Sequence, residues 1–193
     1  MSWHKINNVK NIIKEEHHNI YGKEWALGYD QLKYLINDGL KPSHKLLDIG
    51  CGVGRFGTKA INYLNMSNYC GFDNCSKSID IFIKYECVVN FLYKKIPNIF
   101  KADILDFQQI LIPIQFDYVI AFSVFNHIKN QKDISLFMNI LSKSIKKDGK
   151  LICTFDYPLD YKSFGFELEK KENVKATFSN TNINWINLIK TKS

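Results

Sequence analysis

The chain has 193 residues, of which 46% are hydrophobic and 23% charged, with a formal net charge of +7 and a pI near 9.0. That balance suits a globular protein with one substantial core, and no run approaches the ~18 consecutive apolar residues of a membrane span. The excess charge is nearly all lysine, spread along the chain around the single arginine, Arg55; bidentate phosphate and base contacts favour arginine, so nucleic acid is an allowed but not a favoured partner.

Residues 1–44 are expected to form an N-terminal helical segment packed on the core, and 45–193 the main α/β domain. The opening MSWHKINNVK has no apolar h-region, which argues against a secretory signal. Five scattered cysteines with no CxxC pair (Cys51, Cys70, Cys75, Cys87, Cys153) read as reduced, mostly packed, cytoplasmic residues. Ile6, Val9, Ile13 and Ile20 give a loose helical stripe. His17 and His18 within it read as exposed rather than metal-bound, since no other ligand type lies near them in sequence. A second helix carries Trp25, Tyr29, Leu32, Leu35 and Ile36 on one face, and Gly39 is placed to stop it.

From Lys45 strand and helix alternate, the pattern of a doubly wound, mostly parallel sheet. Strands are predicted at Lys45–Ile49, Tyr69–Asp73, Ile99–Asp103, Phe116–Ser123 and Lys150–Asp156. Ser76 reads as the cap of a helix with Ile79, Phe82, Ile83 and Cys87 on one face, ended before Pro97. The most regular helix carries Ile134, Phe137, Met138, Leu141 and Ile145, with Gly149 past its end. Val174, Ala176 and Phe178 alternate before a turn at Ser179–Asn182, and Ile183–Ile189 is apolar again, so an antiparallel C-terminal hairpin closes the sheet.

The stretch KLLDIGCGVGRFG, Lys45 to Gly57, organises the rest. An apolar strand ends in Gly50, Gly52, Gly54 and Gly57, a turn where ligand and backbone can approach closely, and the following helix start offers free N–H donors. Gly52 to Gly57 also satisfies the dinucleotide pattern GxGxxG, with Asp73 downstream. Asp48 separates the two readings: a carboxylate there repels a pyrophosphate and attracts an ammonium and a sulfonium. Asp48, Asp73 and Asp103 close three consecutive strands at the edge where open α/β sheets bind ligands. There Asp73 can accept from two ribose hydroxyls and Asp103 from an exocyclic adenine amine.

DIGCGVG, GFD, KAD, FDYVIAFSVFNHI and KKDGKLICTFD together resemble motif I and the later motifs of the class I S-adenosylmethionine-dependent methyltransferases, over Leu46 to Asp156. The lead-in EWALGYDQLKYL resembles a bacterial subgroup associated with modification of surface sugars. The resemblance implies an α/β, Rossmann-like methyltransferase sheet and S-adenosyl-L-methionine as cofactor. It places Asp48 toward the methionine amine, Gly50, Cys51, Gly52 and Gly54 around the methionine and ribose, and Asp73 with Asn74 at the ribose. Asp103 with Ile104 falls at the adenine, and the backbone of Phe122 and Ser123 beside the sulfonium. No metal is implied.

Methylation of a hydroxyl needs an acceptor for its proton. His127, just beyond the fourth strand, carries the side chain whose ordinary titration lies nearest neutral pH, and Asp156, ending the fifth, could orient it. The expectation is O-methylation of a small molecule or carbohydrate. Alternatives are an RNA methyltransferase, a nicotinamide-dependent oxidoreductase and a non-catalytic cofactor-binding subunit. Trp25 reads as core or as part of the pocket, and Asp117, at the opposite sheet edge, as structural. The short segment Tyr157–Asn173 leaves little room for a substrate-side helix, and the sequence sets no oligomeric state.

Overall fold

Leu46, Leu47 and Ile49 are wholly buried because β1 (Leu46–Ile49) lies at the middle of the sheet with helices on both faces. The computed structural model describes residues 17–18, 25–103, 114–128, 130–154, 159–179 and 181–191. β1 pairs in parallel with β2 (Tyr69–Asp73) on one side and β4 (Phe116–Ala121) on the other. Beyond them run β3 (Asn98–Lys101), also parallel, and β5 (Ile145–Cys153). The edge is an antiparallel pair, β6 (Phe166–Lys175) and β7 (Asn182–Lys190), in the order β3-β2-β1-β4-β5-β7-β6. This is the predicted α/β Rossmann-like sheet, mostly parallel with a C-terminal antiparallel hairpin. Strand order reverses between β1 and β4, which opens a crevice beyond their carboxyl ends.

The two sheet faces have separate cores. Leu46, Ile120, Ile152 and Trp185 pack under α1 (Leu27–Asn37), α2 (Gly57–Tyr63) and α3 (Ser76–Ile81). Leu47, Val119 and Leu151 face α4 (Gln131–Ser144) through Phe137, Met138 and Leu141. Asn130 caps α4, its side chain accepting the Asp133 N–H at 2.9 Å.

Several elements depart from the sequence expectation. α1 is rotated: Leu27, Gly28, Asp30, Gln31 and Leu35 are buried, whereas Tyr29 and Ile36 are exposed. The rotation has a polar cause. Asp30 turns inward to accept backbone N–H groups from Thr177, Phe178 and Ser179 at 2.6–3.1 Å. Gly28 meanwhile lies so close to the Arg55 carbonyl that a Cβ would come within 2.2 Å of it. Gly39 ends α1 as expected, at φ 108°, with Leu40 N–H returning to the Leu35 carbonyl.

Ser76 is the first residue of α3 rather than a side-chain cap, the preceding turn being held by Asp73 Oδ1 accepting Cys75 N–H at 2.8 Å. α3 then passes into a π-helical turn, Phe82–Glu86, and a final helical turn, Cys87–Val89. The wider turn shifts the side-chain phase, so Phe82 and Glu86 are buried and Ile83 is exposed. Ile145 does not continue α4 but pairs with Phe116, and the register shifts before Lys150 joins Tyr118. It is buried in either role, so periodicity could not separate them. β6 occupies much of the segment after β5, and Ala176 and Phe178 follow it instead of extending it.

His17 and His18 are the largest departure. His17 is fully buried and His18 is 16% exposed, each with Nε2 at 2.6 Å from Glu86 Oε1. The partner lies 69 residues from His17, beyond the reach of local sequence reading. Asp117 is structural, accepting Lys45 N–H at 2.8 Å and pairing with Lys146 at 2.7 Å. The five cysteines are free thiols, four of them buried. Among the described residues no helix is long and apolar enough to cross a membrane.

Candidate ligand site at the glycine turn

β1 ends in a turn whose backbone runs through the left-handed region at Gly50, Gly52 and Gly54, with φ of 67°, 56° and 89°. These conformations strain residues with a Cβ, and space excludes one as well: at Gly54 it would lie 2.4 Å from the Phe82 ring, and at Gly50 2.8 Å from Val124. The turn is thus clamped between the π-helical turn that follows α3 and the loop after β4. Cys51 contributes through its backbone, its N–H donating to the Phe72 carbonyl at 3.0 Å while burial pushes its buried thiol well up.

Asp73, ending β2, reaches across to this turn, and its Oδ2 accepts Gly52 N–H at 3.0 Å. Asn74 beside it is exposed. Asp48 lies beneath the turn, 3% exposed, its Oδ2 accepting the Tyr69 hydroxyl at 2.6 Å. Burial pushes the Asp48 carboxyl up to about 7; the Tyr69 hydrogen bond opposes the rise, the nearby Asp73 charge adds to it, and Arg55 offsets part of it. Asp103 is exposed just past β3, and the Ala102 N–H before it donates to the Asp73 carbonyl. Ile104 lies outside the described residues.

On the other side of the crevice β4 gives way to Phe122 and Ser123. Ser123 takes a left-handed φ of 60°, and its N–H is held by Thr154 Oγ1 at 2.9 Å. Phe122 stands edge-on to Phe56 and to Trp185, with centroids 5.4 Å apart in each case. His127 is exposed at the end of a short helical turn, Phe125–His127. Asp156 lies outside the described residues. Trp25 does not pack into the sheet core: it is half-buried, stacks on His18 and lies under Lys59 Nζ.

The fold therefore brings Asp48, Asp73, Asp103 and the glycine turn to one edge of the sheet, and Phe122, Ser123 and His127 to the loop that follows the neighbouring β4. Sequence reasoning missed Thr154, Trp185 and Phe56. A hydroxyl after the fifth strand and an aromatic residue in the last one carry no local signal, and only the sheet order makes them neighbours. A row of carboxylates beside the glycine turn suits a ligand with hydroxyls and positive charge, and disfavours a pyrophosphate.

The chain matches the family described as a methyltransferase domain over residues 47–151. It is 30% identical over 110 residues to a mitochondrial ubiquinone biosynthesis O-methyltransferase of Dictyostelium discoideum, a match that covers 55% of this chain and 33% of that protein. The chain thus spans about a third of the length of the curated relative it matches. The structure is similar to a magnesium protoporphyrin IX methyltransferase from Synechocystis solved with bound SAM, with a TM-score of 0.67 and 17% identity, covering 97% of this chain and 86% of the other. An S-adenosylmethionine-dependent methyltransferase from Clostridium acetobutylicum gives a TM-score of 0.69 at 12% identity, covering 96% and 100%. The family match carries nothing for the surface-sugar subgroup.

Proposed function

We propose that this chain, which belongs to the methyltransferase-domain family, uses S-adenosylmethionine to methylate a hydroxyl oxygen of a small molecule. The observation that carries the reading is the carboxylate row at the switch point, with Asp73 closed on Gly52 N–H and Asp48 buried beneath the same turn. The residues present fit such a ligand. Asp48 is a buried acid whose ionised form lacks sufficient countercharge, and an ammonium group relieves that deficit.

When bound, S-adenosylmethionine supplies a methyl group on a sulfonium, open to displacement by a nucleophile. Asp73 and Asn74 hold the ribose hydroxyls, and Asp48 with the backbone of Gly50, Cys51, Gly52 and Gly54 takes the methionine end. Asp103 and Ile104 receive the adenine. Phe122 and Ser123, fixed by Thr154, form the wall beside the reacting centre, and the Phe56–Phe122–Trp185 aromatic group helps to exclude water there. His127 accepts the proton of the acceptor hydroxyl, with Asp156 as its positioning residue. The O-methyltransferase named among the relatives favours oxygen as the acceptor atom.

Thermal unfolding with S-adenosylmethionine, S-adenosylhomocysteine, NAD and NADP tests the reading. A ligand at 100 times its Kd stabilises the fold by ~2.7 kcal/mol. Stabilisation by the adenosyl ligands alone, lost in Asp73→Ala, supports it. A shift with NAD and none with S-adenosylmethionine overturns it. Turnover is then sought with phenolic and sugar hydroxyls as acceptors.

A further inference from the structure

We infer that His17, His18 and Glu86 form a site for a divalent transition-metal ion of the zinc type, tying the N-terminal segment to the end of the helix that follows β2. The three ligand atoms, two imidazole Nε2 and one carboxylate oxygen, all lie within 4.8 Å of one another. Each Nε2 is 2.6 Å from the same Oε1. Donors bound to one zinc ion at ~2.0–2.1 Å stand ~3.3 Å apart, so each histidine–glutamate pair need open by less than ~1 Å to admit it. Two imidazoles with a carboxylate select zinc, cobalt or nickel; magnesium and calcium take oxygen ligands.

The surroundings hold these groups in place. Asn90 Nδ2 donates to Glu86 Oε2 at 2.9 Å and to the Glu86 carbonyl at 2.9 Å, which orients the carboxylate and leaves Oε1 to the histidines. Trp25 stacks on His18 at 3.8 Å, and His17 stands edge-on to Trp25 and Tyr85. Nδ1 of His17 is buried with no hydrogen-bond partner among the described residues. Glu86 and His17 are almost fully enclosed, and the partly exposed His18 marks the side from which an ion enters.

The test uses the full chain, stripped of metal with a chelator and titrated with Zn²⁺ by calorimetry, then with Co²⁺ followed by visible absorption. The expected result is one ion per chain, bound at least ~100-fold more weakly in Glu86→Gln and in His18→Ala. Co²⁺ should give weak d–d bands without intense thiolate charge transfer. Circular dichroism shows that each variant is folded, and His18→Ala, at the more exposed position, carries the test if Glu86→Gln does not fold. Three outcomes overturn the site: no Zn²⁺ binding, affinity unchanged in the folded variants, or a thiolate charge-transfer band placing the ion on cysteine.

Discussion

Asp73 Oδ2 accepts the Gly52 N–H at 3.0 Å, so the carboxylate that ends β2 is joined directly to the glycine turn that ends β1. Its other oxygen accepts Cys75 N–H at 2.8 Å. One side chain thereby sets the turn and the entry to α3.

This pairing gives the first prediction. Asp73→Ala removes a charged acceptor from two backbone donors and from the ribose hydroxyls assigned to it. Hydrogen bonds to charged groups contribute ~1.5–3 kcal/mol each, so S-adenosylmethionine affinity should fall by at least ~10-fold. Calorimetric titration of the variant checks this, and an unchanged Kd would remove Asp73 from the site.

Asp48 predicts a pH dependence. Its folded-state pKa is raised by burial from 3.8 to about 7, so the native state holds a proton that the unfolded chain has already released. The stability it contributes is fully present below pH 3.8 and is lost as pH rises to about 7. The loss is on the order of 4 kcal/mol at most. Denaturant midpoints from pH 5 to 8 should therefore fall for the parent relative to Asp48→Asn, which stays neutral and still accepts the Tyr69 hydroxyl. Affinity for the cationic ligand should rise over the same interval as Asp48 ionises. A parallel pair of stability curves contradicts the assignment.

Asp30 is expected to matter for stability and little for chemistry. It is buried and accepts N–H groups from three consecutive residues after β6. Asp30→Ala leaves those donors unsatisfied and should cost ~2–4 kcal/mol in urea unfolding. Asp30→Asn, which keeps one oxygen, should cost less. Equal stability of all three proteins would show that the clamp is unimportant.

For His127 the expected signature is a split between binding and turnover. Once an acceptor is found, His127→Ala should lower kcat by ~10²–10⁴-fold with S-adenosylmethionine affinity intact, since the exposed imidazole lies on the loop after β4 and Gly52 N–H is held by Asp73 instead. Retention of full turnover assigns the proton to another acceptor.

The succession of strands along the chain, the glycine turn and the carboxylates near the strand ends were legible in the sequence, because each is a local pattern. Apolar runs bounded by turn residues mark strands, and left-handed backbone demands glycine. An acid that ends a strand needs no distant partner to be noticed. What only the tertiary structure decided lies in contacts between distant residues. The face that α1 buries was misread because Asp30, 147 residues from Thr177, turns inward to meet its N–H. Ile145 is apolar in a helix and in a strand alike, so only pairing with Phe116 assigns it. His17 and His18 looked solvated because Glu86 is remote in sequence, and a π-helical turn carries that carboxylate inward. Periodicity reports how a segment alternates. Which buried polar group it meets depends on the partner that folding brings to it.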